Sequence, residues 1–259
     1  MRIPPIFVGH GSPINAIESA KTNQFANQWQ KLGETIIPKP KAILCISAHW
    51  LTKGIFVTGQ ENPPTIHDFY GFPKELFEVE YNAAGKPNLA QSLATELADL
   101  SVELSFDWGF DHGCWSVLRH IYPNVDVPVV QLSIDVNRSL KEHFDISKRL
   151  RYLLNEGVMI LGSGNIIHNL RLFNWNNQTE QPSWAIKFNE RFHSLLNSRD
   201  FEGLLQLPFA FEEAKLAIPT LDHYLPFLYI AAQIDSTNTI EVFNDVIQSS
   251  LSMTSIRVM

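Results

Sequence analysis

Histidine is the residue type through which this chain could do chemistry, because neutral imidazole binds transition metals and exchanges protons near neutral pH. His10 lies between two glycines in Val8-Gly9-His10-Gly11-Ser12-Pro13, where the backbone can turn sharply and a ligand can come close; an ordinary tight turn would read the same way. His49 follows Ile43-Leu44-Cys45-Ile46 in Ser47-Ala48-His49-Trp50, so its side chain should emerge where a strand leaves the core, unless it is a satisfied core histidine. His223 follows Pro219-Thr220-Leu221-Asp222, a helix-start pattern with Asp222 as the expected cap; its alternative is a helix-end histidine with no ligand. His168 comes after Gly162-Ser163-Gly164-Asn165, and would otherwise be a polar loop residue. His112, in Trp108-Gly109-Phe110-Asp111-His112-Gly113, sits among aromatic residues that could wall a pocket for a flat substrate or simply belong to the core. His67, in Thr65-Ile66-His67-Asp68-Phe69-Tyr70-Gly71-Phe72-Pro73, lies in a stretch that could fold over a site, with Tyr70 and Trp108 as further wall candidates. His120, His143 and His193 fall in helical stretches and read as surface or internally satisfied residues.

The elements that must position these residues read as an α/β chain. Short apolar runs at 3–8, 42–47, 128–134 and 158–161 read as buried strands, and amphipathic segments between them give the pattern of a mostly parallel central sheet flanked by helices. Phe25, Trp29 and Leu32 recur at helical spacing, as do Leu89, Leu93, Leu97 and Leu100 behind Pro87. Further helices are expected over 140–154, 183–196 and 224–232, and the runs 240–247 and 253–258 as late strands on an antiparallel edge. Three of the strands end in turns leading to His10, His49 and His168. Open parallel sheets bind ligands beyond the carboxyl ends of their strands, so a shared histidine site at that edge is the economical reading.

Composition narrows the partners. The 259 residues are 45% hydrophobic, ample for one sizeable core, and with no composition shift across the polar stretch 174–181 the chain reads as a single domain, 1–259. A formal charge of −7 and no basic cluster argue against nucleic acid and anionic membrane as partners. Two cysteines make no disulfide framework, and the opening Met-Arg-Ile-Pro-Pro-Ile-Phe-Val-Gly-His reads as neither secretory signal nor membrane anchor, so a cytoplasmic setting is expected. Phosphate loops, HExxH and CxxC pairs and the Gly-x-Ser-x-Gly elbow do not occur in the sequence. What remains is a histidine metal site, for which zinc, iron, copper and nickel are all suitable.

Taken as an ordered set, Gly9-His10-Gly11-Ser12-Pro13, Ser47-Ala48-His49-Trp50, His67-Asp68-Phe69-Tyr70-Gly71-Phe72-Pro73, Gly109-Phe110-Asp111-His112-Gly113, Gln131-Leu132-Ser133-Ile134, Gly162-Ser163-Gly164-Asn165-Ile166-Ile167-His168-Asn169-Leu170 and Pro219-Thr220-Leu221-Asp222-His223-Tyr224-Leu225-Pro226 resemble the class III extradiol ring-cleavage dioxygenases. Within them the resemblance is to the DOPA 4,5-dioxygenase group, and it runs along nearly the whole chain. It implies one catalytic domain in which His10, His49 and His223 bind one divalent metal ion. His168 is then a fourth ligand or the acid/base residue, and His112 a second active-site histidine. Many members carry Pro-Glu where Leu221-Asp222 stand here. The resemblance further implies a catechol such as L-DOPA and O2 as partners, zinc as the ion commonly bound and Fe(II) as the ion required for ring cleavage, since zinc does not change redox state. A zinc-dependent hydrolase with His168 as general base and a non-enzymatic Memo-type metal-binding protein are the alternatives; the oligomeric state is open.

Overall fold

The computed structural model describes residues 2–259. Six strands form the central sheet: β1 (Ile6–Gly9), β2 (Ala42–Ser47), β3 (Val129–Gln131), β4 (Val158–Gly164), β5 (Ile240–Phe243) and β6 (Ser255–Val258). Their spatial order is β3-β2-β4-β1-β6-β5. The first four are parallel, whereas β6 is antiparallel to both β1 and β5, which makes the expected antiparallel edge.

The parallel strands are apolar without interruption because both faces of the sheet are covered. Alternate residues point to opposite sides. Ile6, Val8, Ile43, Cys45, Val129, Met159 and Leu161 join one core with α1 (Gln24–Thr35) and α3 (His112–Ile121). Phe7, Leu44, Ile46, Val130 and Ile160 join the other with α2 (Pro87–Glu96), α4 (Leu140–Arg149), α5 (Ser183–Ser198) and α6 (Leu225–Ala231). In α1 the buried residues are Phe25, Ala26, Trp29 and Leu32, the stripe expected from the spacing, and Asn23 caps the helix by accepting the backbone N–H groups of Phe25 and Ala26.

Four features differ from the sequence expectation, the first being the run 240–247, of which only Ile240–Phe243 joins the central sheet while Ile247–Gln248 pairs with Leu251–Ser252. The run 128–134 is two short strands, because Ser133 leaves the ladder and its hydroxyl accepts the backbone N–H of Phe56, while Ile134–Asp135 pairs separately with Leu51–Thr52. The segment 140–154 breaks at Leu150 into α4 and a short helix Tyr152–Glu156; the bend turns Leu150, Leu153 and Leu154 together into the core. Asp222 does not cap α6, whose first residue is Leu225 with Tyr224 at the cap position, and the Asp222 carboxylate is engaged by His223 instead. Among the described residues, no helix is long and apolar enough to cross a membrane.

Candidate metal centre

Register brings the three histidine turns to one level. Gly9 of β1 pairs with Gly164 of β4, and Ser47 of β2 with Ser163, so the chain leaves the sheet at neighbouring points. Backbone bonds continue the ladder past the strand ends, from His10 N–H to Gly164 O (3.1 Å) and from Ala48 N–H to Ser163 O (3.0 Å). His223 reaches the same place from the α6 side because Gly164 has no side chain: a Cβ there would run into the His223 carbonyl, which accepts Asn165 N–H at 3.0 Å. Gly11 takes φ +61°, the left-handed turn that returns the chain after His10.

The rings of His10, His49 and His223 form a near-equilateral triangle, with centroids 5.0, 5.1 and 5.3 Å apart. Each has a partner on its far side. His10 Nδ1 lies 2.9 Å from Ser163 Oγ, whose hydroxyl donates to Gly113 O at 2.5 Å. Ser163 therefore accepts from His10, which puts the proton on Nδ1 and leaves Nε2 with a lone pair. His223 Nδ1–H donates to the Asp222 carboxylate, and its Nε2 is buried with no partner. His49 Nδ1 faces Asp68 Oδ2 at 3.4 Å, and its Nε2 stands 3.2 Å from His10 Nε2. A partnerless buried nitrogen and two imidazole nitrogens facing one another across 3.2 Å are what a cation would resolve, since ligands at about 2.0–2.1 Å in a tetrahedral set stand roughly 3.3 Å apart. These residues fit one divalent metal ion with imidazole ligands, each oriented by a second group behind it.

Two further histidines complete the cluster. His112, the first residue of α3, lies beside His49 with ring centroids 3.8 Å apart, and one of its ring nitrogens groups within 4.8 Å of those of His10 and His49. Its backbone N–H and its Nδ1 both contact Asp68 Oδ1 at 2.9 Å. His168 stacks face to face on His223, centroids 3.4 Å apart and planes within 5°. Parallel rings so stacked cannot both aim an in-plane lone pair at one ion. Burial, together with the surrounding imidazoles, holds the pKa values of His10 and His49 well below the usual histidine range, and burial followed by the neighbouring His223 ring brings His168 to about 2. Neutral imidazole is the ligand form. For Asp68 and Asp222 burial works to raise the pKa, but the bonds to His112 and His223 outweigh it and hold both below the ordinary value.

All five histidines singled out as site candidates thus converge: His10, His49, His112, His168 and His223. His67 does not; its Nε2 donates to Val79 O, and its ring packs against Phe69, Phe77 and Trp115. Tyr70 is 92% exposed. Phe69 stands edge-on to His112, so aromatic surface borders the cluster there, whereas Trp108 stacks parallel to Trp50 (5.7 Å, 4°). His120 bonds Asn15 O, His143 bonds Tyr229 and Asp135, and His193 pairs with Asp245. Asp68 and Ser163 were not among the sequence candidates, although both lie inside quoted motifs; only the neighbour each acquires in space marks it out.

Similarity to known proteins agrees with this geometry. Residues 4–258 match the family described as the catalytic LigB subunit of aromatic ring-opening dioxygenase. A 4,5-DOPA dioxygenase extradiol of Escherichia coli K12 is 42% identical over 99% of this chain and 95% of its own length. One from Beta vulgaris is 35% identical over 87% of this chain and 84% of its own. The crystal structure of an uncharacterized protein from Escherichia coli K12 superposes with a TM-score of 0.85 at 37% identity, covering 99% of both chains. A histidine cluster at the carboxyl edge of a mostly parallel sheet, carried by a sequence that matches from end to end, identifies this chain as a member of the LigB family of aromatic ring-opening dioxygenases, an extradiol ring-cleavage enzyme.

Proposed function

We propose that the chain holds one divalent metal ion on His10, His49 and His223 and opens the ring of a catechol such as L-DOPA by 4,5-extradiol cleavage with O2. The observation that carries this reading is the triangle of imidazoles together with the buried, partnerless Nε2 of His223. The relatives named 4,5-DOPA dioxygenase extradiol support the substrate class. Bound Fe(II), the working ion in this reading, supplies the electron transfer between catechol and O2 that redox-inert zinc does not.

The protein's own groups do the rest. Ser163, Asp222 and Asp68 orient the three ligand rings from behind, so that no reorganisation is needed when substrate binds. His168 takes a proton from a catechol hydroxyl, a role supported by its stacking on His223, which keeps its ring beside the ligands rather than among them. His112, on the opposite flank beside His49, is the second acid/base group. Phe69, edge-on to His112, offers apolar aromatic surface beside the cluster.

Anaerobic loading with Fe(II), then L-DOPA and air, is expected to give a yellow ring-opened semialdehyde. An iron-loaded protein that leaves a panel of catechols untouched would exclude the dioxygenase reading, and turnover with zinc that needs no O2 would replace it with hydrolysis. His10→Ala, His49→Ala and His223→Ala are each expected to abolish stoichiometric metal binding with the fold retained; His168→Ala is expected to bind metal and be inactive.

A further inference from the structure

Asp68 meets two of the clustered histidines, His112 and His49, at once. It is presented from a loop rather than a strand, on a segment tied down on both sides of it: Ile66 N–H donates to Phe110 O (2.7 Å), Trp115 Nε1 to Ile66 O (2.9 Å) and His67 Nε2 to Val79 O (3.0 Å). Phe69 follows, packed against His112, Phe72 and Phe77. Asp68 Oδ1 receives the backbone N–H of His112 and lies equally close, 2.9 Å, to its Nδ1, while Oδ2 faces His49 Nδ1 at 3.4 Å.

We infer that Asp68 is the positioning residue that sets how His112 and His49 present themselves to the reaction. A carboxylate oxygen near neutral pH only accepts, so His112 carries a proton on Nδ1, and in the neutral ring Nε2 is the nitrogen with the lone pair. In that tautomer Nε2 is the nitrogen of His112 able to accept a proton. The longer contact to His49 is an electrostatic one, turning Nδ1–H toward Oδ2 and Nε2 toward His10. One side chain on a loop therefore couples a proton-transfer group to a metal ligand. The catalytic meaning rests on the ring-cleavage reading above, but tautomer and metal affinity are read without turnover, so the two can fail separately.

The test uses the metal-free protein, labelled with 15N-histidine, at a pH above the imidazole range, where long-range 1H–15N spectra report each ring's tautomer. Wild type is expected to show His112 as Nδ1–H, Asp68→Ala to lose that signal in favour of Nε2–H, and Asp68→Asn to keep it through the amide oxygen. Zinc affinity, measured by competition with a chromophoric chelator, is expected to fall about 10- to 100-fold in Asp68→Ala. In Asp68→Asn it is expected to fall as well, because the charge facing His49 is gone. The His10 Nδ1–H signal, held independently by Ser163, should persist in both variants and reports that the site remains folded. His112 found as Nε2–H in wild type, its Nδ1–H tautomer surviving in Asp68→Ala, or zinc affinity unchanged within about twofold in that variant would each overturn the assignment.

Discussion

Ser163→Ala tests whether the centre is organised from behind. Ser163 is fully buried at the end of β4 and makes two bonds through one hydroxyl, accepting from His10 Nδ1 at 2.9 Å and donating to Gly113 O at 2.5 Å. Alanine removes one oxygen, so packing changes little while two buried polar groups lose their partner. At about 1–3 kcal/mol for each, the metal-free protein should lose roughly 2–6 kcal/mol. His10 also loses the bond that sets its tautomer, for which a 10- to 100-fold loss of metal affinity is the usual order. That converts to about 1.4–2.7 kcal/mol, which adds to the loss in the metal-saturated protein because bound metal stabilises in proportion to the logarithm of its affinity. Urea denaturation of both proteins, with and without saturating zinc, separates the two contributions. If the loss is the same with and without zinc, Ser163 does not orient His10 as a ligand and the reasoning fails; if the metal-free loss is under about 0.5 kcal/mol, the hydroxyl is not bonded as described.

Three further outcomes follow from the same geometry. Gly164→Ala puts a Cβ against the His223 carbonyl, so the His223 turn must move outward, and metal titration should show weakened binding while the fold, followed by circular dichroism, persists. Asp222→Ala should lower metal affinity about 10- to 100-fold with helix content unchanged; a loss of helix with normal metal binding would restore the capping role expected from sequence. His143, buried between Tyr229 and Asp135, is held by burial at about 4, below its unfolded value near 6.5. The unfolded chain thus binds more protons between these values, so the stability His143 contributes is present above about pH 6.5 and is lost as pH falls toward 4. Its share between about pH 7 and 5 is roughly 2 kcal/mol, and urea midpoints of His143→Gln should show a flatter acid limb than wild type by that amount. An unchanged limb would refute the assignment.

Much of this enzyme was legible before folding was considered. Unbroken apolar runs mark β1, β2 and β4 because a strand covered on both faces has no polar side to alternate with. His10, His49 and His168 were readable as site residues because each follows such a run, and parallel strands must end on one edge. His223 and His112 were weaker from spacing alone, since they arrive just before α6 and at the start of α3, whose approach to the sheet edge no local pattern states. The Asp222 cap was a local rule overridden by tertiary contact: the carboxylate satisfies an imidazole N–H next to it rather than a helix end.

The sequence by itself determined the chemistry available, imidazoles at strand ends in a chain of net charge −7, and the sheet able to carry them. Tertiary structure alone decided how those imidazoles are used. Which nitrogen of His10 holds a proton depends on Ser163, 153 positions away, and the proton of His112 depends on Asp68, 44 positions away. His168 lies beside His223 because the two rings stack. Tautomer and orientation belong to pairs of residues, and the pairs exist only once β1, β2 and β4 stand in register.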